Sequence, residues 1–304
     1  MIVLDTIFPL FAVLGLGWVL RLKGMTSEIF LKMADRLVYF IFFPAMLFWK
    51  IGSAPPDLGV DPGLCGAALL TVGLCFLASL WALRAFGITG FQAGSFCQAA
   101  FRFNTYIGLA IVFQVLGDEG IRHFGLLAGI VIPVINVLCV SVLIWHSGRE
   151  MGLGQKIFFF VKELATNPLI LSCAAGFLFS RAGLLFPAFI HNSFSLLTSA
   201  TLALALLSIG GQLKFHGMGA HAKASFVAAG LKLVLMPVAG FIFLKLFRVV
   251  GVPFMVGMIF VTLPTSSAIH VLSSQLNSDT DLAAVAVVVS TLGSFVSLSL
   301  ALML

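Results

Sequence analysis

Two short polar runs interrupt long apolar stretches, and their side chains suit recognition of an anion. The first is Arg102-Phe103-Asn104-Thr105, with Gly108 behind it; the second is Leu263-Pro264-Thr265-Ser266-Ser267, with His270 one turn further on. Hydroxyls and an amide donate hydrogen bonds, and a guanidinium attracts a carboxylate and can fork onto it. Pro264 lacks an amide N–H and clashes with the preceding turn, so it breaks a helix; Asn104 and the Thr and Ser hydroxyls can satisfy backbone groups that such breaks free. Half-helices restarting near Asn104 and Thr265 would aim the positive ends of their dipoles at one point. The candidate substrate-binding residues are therefore Asn104, Thr105, Pro264, Thr265, Ser266, Arg102 and His270.

Arg102 has two readings, because a cation within a span costs ~2.5–3.5 kcal/mol on insertion scales and needs a partner. It either attracts the substrate anion or pairs with a carboxylate or backbone carbonyls. Lys232, nine residues inside Lys223, is expected to snorkel or pair rather than to bind. His270 either carries a proton near neutral pH or serves as a hydrogen-bonded structural residue. Asp5, Asp35 and Asp279 fall near span ends and the breaks contain no acid, which disfavours coupling through a buried carboxylate.

These runs are embedded in 304 residues that are 61% hydrophobic and only 9% charged, with a mean hydropathy of +1.15. A soluble domain needs roughly a quarter of its residues charged to cover its surface, so the chain is an all-α polytopic membrane protein with lipid as its partner. A crossing takes about 20 apolar residues, and division at Gly, Pro and charged interruptions yields ten spans: 3–22, 31–50, 64–84, 90–116, 122–146, 166–182, 187–211, 223–247, 253–275 and 281–303. The opening MIVLD lacks a basic n-region, so the first segment is expected to be retained. Odd-numbered connections hold ten Lys/Arg and even-numbered ones five, which puts the odd loops in the cytoplasm and both termini outside. Neither a phosphate-binding loop nor a basic-aromatic ladder is present, so neither one-chain ATP-driven pumping nor a nucleic-acid partner is expected. Cys65, Cys75, Cys97, Cys139 and Cys173 lie in apolar runs without metal-ligand spacing and read as packing residues; no metal or cofactor is expected.

The spans carry a faint repeat. Pro9, Gly17 and Gly24 recur as Pro168, Gly176 and Gly183; Ile51-Gly52 recurs as Ile209-Gly210; Phe91-x-x-Gly94 recurs as Phe254-x-x-Gly257; and Asp118 matches Asp281. Five helices is an odd number, so the second half must lie inverted, giving residues 1–148 as the first repeat, 149–165 as a cytoplasmic connection and 166–304 as the second. Asn104 and Pro264 then reach similar depths from opposite sides, ~21 Å and ~16 Å along helices four and nine.

The run Arg102-Phe103-Asn104, with Gly108 and Gly117-Asp118-Glu119-Gly120, resembles the fourth helix of the auxin efflux carrier family. The segments Ala203–Gly211, Leu263-Pro264-Thr265 and Ser290-Thr291 are similar to its seventh, ninth and tenth helices. The resemblance implies ten helices in two inverted repeats of five, crossed broken helices four and nine, and an elevator-like bundle (helices 3–5 and 8–10) moving on a scaffold (helices 1, 2, 6 and 7). It also implies homodimers, and places the chain near bacterial malate- or malonate-permease-like members. The chain lacks the long hydrophilic middle loop of many plant members, and Ser266, Ser267 and His270 replace the small-residue-plus-Asn run after the proline. The expectation is a secondary or facilitative carrier of small organic anions in a cell membrane, bacterial inner membrane by the resemblance. An ion-coupled cation or proton antiporter and a channel are alternatives. An intramembrane enzyme built on Ser266 and His270 lacks an orienting carboxylate.

Overall fold

The computed structural model describes residues 2–55, 59, 61–146, 154, 161–162, 165–213 and 218–303. Asp57, Arg149, Lys156, Lys214 and most of the 149–165 connection lie outside the described residues. The described elements are helices: α1 (Ile2–Leu22), α2 (Glu28–Leu37), α3 (Phe43–Gly52), α4 (Pro62–Ala85), α5 (Gly90–Phe101), α6 (Thr105–His146), α7 (Pro168–Arg181), α8 (Ala188–Gln212), α9 (Met218–Gly230), α10 (Met236–Leu246), α11 (Gly251–Thr262), α12 (Ala268–Gln275) and α13 (Thr280–Ala301). Helices satisfy their own backbone, which is what hydrocarbon demands of a crossing segment.

Local chemistry sets the boundaries. The Ser27 hydroxyl accepts from Phe30 N–H, Thr89 and Gln92 cap each other across the first turn of α5, Asn167 caps Leu169 and Ile170, and Asp279 caps Leu282. Two π turns, at Val38–Phe42 and Leu231–Leu235, were not legible in the sequence. Each precedes a proline, Pro44 and Pro237, whose ring crowds the carbonyl four residues back, at Phe40 and Leu233, inside the widened turn. Gly117 (φ 59°, ψ −145°) sits inside α6, so a single left-handed residue separates what the sequence divides into a fourth and a fifth span.

Among the described residues five stretches are long and apolar enough to cross a membrane: Pro62–Ala85, Gly90–His146, Ala188–Gln212, Met218–Leu246 and Thr280–Ala301. Ile7–Leu22, Pro168–Arg181 and Gly251–Thr262 are shorter apolar helices. The molecule is a helical, polytopic membrane protein.

The chain forms two compact units, each drawing on both halves of the sequence. Unit 1 comprises Met1–Asp61, Leu109–Ile130 and Val161–Gln212. Its tightest seam joins α1 to α8, where a Cβ added at Gly17 would strike the Leu207 carbonyl and one at Gly210 the Leu14 carbonyl. Beside this seam the Asp35 carboxylate accepts from Ser208 Oγ and Gln212 Nε2, both at 2.6 Å. Phe48, Phe179, Phe186 and Phe194 cluster where α3 meets α7, with Phe179 and Phe186 stacked at 4.3 Å. Unit 2 comprises Pro62–Gly108, Val131–Phe160 and Leu213–Leu304, with α5, α11 and α13 at its core. All five cysteines are buried and free.

Because two backbones meet at Gly210, Gly210→Ala should lower stability by about 1–3 kcal/mol. Gly15→Ala, on the same α1 but with nothing near the added methyl, should change little. Thermal unfolding of the detergent-purified variants measures both.

Candidate substrate site at two helix interruptions

Unit 2 contains both polar runs, and both are breaks. α5 stops at Phe101, and Arg102 (φ −73°, ψ 141°) leads the chain out in an extended conformation until α6 restarts at Thr105. α11 stops at Thr262, Leu263 (φ −61°, ψ 147°) is likewise extended, and α12 begins at Ala268. The interruptions touch. Asn104 N–H donates to the Pro264 carbonyl at 2.9 Å, so one broken helix satisfies the other.

Side chains complete the accounting. Asn104 Oδ1 accepts from Tyr106 and Ile107 N–H at 3.0 and 3.2 Å and caps α6. Thr265 Oγ1 donates to the Ala99 carbonyl at 2.6 Å, while Thr265 N–H donates to Ser290 Oγ on α13 at 3.1 Å. Ser297 donates to the Thr262 carbonyl, Ser266 Oγ accepts from Ala268 N–H, and Phe103 packs edge-on to Phe260 at 4.6 Å. Two buried polar atoms are left over: Asn104 Nδ2, on a residue only 2% exposed, and Thr291 Oγ1. An amide nitrogen is purely a donor, and that of Asn104 meets no acceptor among the described residues.

The remaining candidates divide. Thr105 is half-buried on the first turn of α6, and Ser266 is half-buried above α12. His270 lies on the exposed face of α12 rather than in the buried cluster. Arg102 is half-buried, with Nη1 3.4 Å from Gln98 Oε1, and no carboxylate lies within 4.0 Å of it among the described residues. Of the two outcomes expected for Lys232, snorkelling is overturned: the π turn places the residue in the interior, 0% exposed, with Nζ 3.0 Å from Met236 Sδ.

Sequence reasoning missed the bracing behind the breaks. Ser95 Oγ on α5 donates to the Asp279 carbonyl at 2.6 Å and lies 2.8 Å from Ser273 Oγ and 3.1 Å from Ser278 Oγ; Ser278 donates to the Phe91 carbonyl. Gln98 Nε2 reaches Gly94 O and Ser273 Oγ. Gln98 was the available signal, a long polar side chain in an apolar run; serines usually satisfy themselves on their own helix and stand out less.

Comparison with known proteins gives this architecture a family. The model for a family described as membrane transport protein matches residues 2–302. The chain belongs to it: it is a member of the auxin efflux carrier family of membrane transporters. An uncharacterized transporter of Methanothermobacter thermautotrophicus is 25% identical over 305 residues, covering 97% of this chain and 96% of the relative. One of Methanocaldococcus jannaschii is 21% identical over 309 residues, covering 99% and 98%. The Arg102-Phe103-Asn104 and Leu263-Pro264-Thr265 runs that carry the family likeness are the two runs that meet in unit 2.

Thr265 holds both the end of α5 and the start of α13's polar pair in place. Thr265→Val keeps its shape but orphans the buried Ala99 carbonyl, and should lower stability by about 1–3 kcal/mol. Ser266→Ala, whose hydroxyl touches only a half-buried amide, should cost less in the same unfolding assay.

Proposed function

We propose that this transporter carries small organic anions, mono- or dicarboxylates, by alternating access, with the substrate held where the two interruptions meet. The observation that carries the reading is the buried Asn104 amide nitrogen without an acceptor, at the start of α6, where the helix dipole favours a negative charge. A carboxylate oxygen supplies that acceptor. Arg102, with no carboxylate within 4.0 Å among the described residues, adds attraction. Thr105, Pro264, Thr265 and Ser266 shape the site, and His270 serves at its edge.

The reading extends to ten helices in two inverted repeats, both termini outside, an elevator-like unit 2, homodimers and a cell membrane, bacterial inner membrane by the family likeness. The composition of the units supports it: unit 1 gathers the spans assigned to the scaffold, and unit 2 most of those assigned to the moving bundle. A carrier is accelerated by substrate on the opposite side, whereas a channel is not.

In proteoliposomes, Asn104→Ala should abolish carboxylate uptake while the purified protein stays folded; unchanged kinetics would move the site elsewhere. Arg102→Gln should weaken carboxylate binding by about tenfold or more, as loss of a charge-assisted contact does, and leave a neutral amide isostere unaffected. Calorimetry with the acid and its amide reads the difference.

A further inference from the structure

Unit 1 contains a second cation with unusual surroundings. Lys50, at the end of α3, is only 8% exposed although it is a lysine. Its ammonium lies 4.0 Å above the Trp49 ring and 5.6 Å from the Phe113 ring, and 2.7 Å from Asp118 Oδ1. Arg122 locks the backbone behind it, donating from Nε to the Lys50 carbonyl at 3.0 Å and from Nη2 to Ser53 O at 3.4 Å. Beside this group α3, α6 and α8 enclose a cleft of about 140 Å³ walled by Trp49, Lys50, Phe113, Ser195, Thr198 and Ser199.

Two of the walls carry buried polar atoms with nothing to bond. Trp49 Nε1 and Thr198 Oγ1 are both without a partner, on residues 5% and 6% exposed. The Ser199 hydroxyl, by contrast, is spent on the Ser195 carbonyl. Indole N–H is only a donor, a hydroxyl can donate, and an ammonium has two protons beyond the one facing Asp118. All three groups ask for an acceptor, and the ammonium asks for a negative one. At about 140 Å³ the cleft has room for an anion of a few heavy atoms.

We propose that the cleft at Trp49, Lys50 and Thr198 is a binding site for a small aliphatic carboxylate of acetate to malonate size. One carboxylate oxygen meets the Lys50 ammonium and another the Trp49 and Thr198 donors, with Phe113 beside the carbon chain. Asp118 is the site's built-in competitor. It is an internal carboxylate on the same ammonium, its side chain 49% exposed, and an entering anion takes over part of its role. The residues of this site all belong to unit 1 and those of the interruptions to unit 2, so the proposal does not rest on the transport reading.

The test is calorimetric titration of acetate and of malonate into the purified full-length protein. Lys50→Met should weaken the binding by about tenfold or more, and the near-isosteric Thr198→Val, which leaves the ion pair intact, by about threefold or more. Asp118→Asn has the opposite sign: removing the competitor should tighten binding by about threefold or more. Asn104→Ala should leave the Lys50-dependent binding in place. Unaltered binding in both Lys50→Met and Thr198→Val overturns the proposal even if Asn104→Ala abolishes uptake. Weaker binding in Asp118→Asn overturns it too, since it would make the ion pair a support rather than a competitor.

Discussion

A backbone that leaves the helical state inside hydrocarbon must find its hydrogen-bond partners elsewhere in the protein, and unit 2 is arranged around that requirement. Each freed group costs several kcal/mol if it stays bare. The bond from Asn104 N–H to the Pro264 carbonyl answers it with the least material, because each break supplies what the other lacks. Pro264 contributes a carbonyl and demands no acceptor, having no N–H of its own. Thr265, Ser290 and Ser297 then tie the ends of α5 and α11 to α13. Replacing any one of them strands a group that another was chosen to meet.

Unit 1 obeys a different constraint. Lipid is as apolar as leucine, so burial against lipid's alternative gains little, and helices associate through close packing and polar contacts. Gly17 and Gly210 let α1 and α8 approach backbone to backbone, and Asp35 with Ser208 and Gln212 supplies the polar tie beside them. The same glycines are among the positions whose spacing recurs in the sequence, and each stands where a side chain would strike a carbonyl.

The helices, most of their ends and the two interruptions were legible, because apolar length, Gly, Pro and charged interruptions and a proline beside polar residues are local signals. Asn104 was read as a cap and is one. The π turns were not legible, since Pro44 and Pro237 read equally well as simple kinks until the carbonyl four residues back is seen. The separation of a fourth from a fifth span was read as a loop, but a single glycine at positive φ achieves it. The Ser95, Gln98, Ser273 and Ser278 bracing was missed because it joins residues almost 180 positions apart, which no local pattern reveals.

Three basic side chains within or beside the spans show how far residue type alone carries an assignment. Lys50 meets a half-exposed carboxylate and two aromatic faces; Arg102 meets a neighbouring amide; Lys232 meets only a thioether at hydrogen-bonding distance. A cation tolerates low dielectric when another charge or dipole compensates it, so these surroundings grade the three by what they still lack. Lys50 is compensated but shares its pocket with idle donors, which makes it receptive to a second anion. Arg102 has no carboxylate within 4.0 Å among the described residues, and on the proposed reading an external anion complements it. Lys232 is fully buried with no carboxylate within 4.0 Å among the described residues, so its ammonium is the group whose charge the fold does least to support. On the proposed reading, recognition of anions follows the distribution of unspent donors rather than the distribution of positive charge.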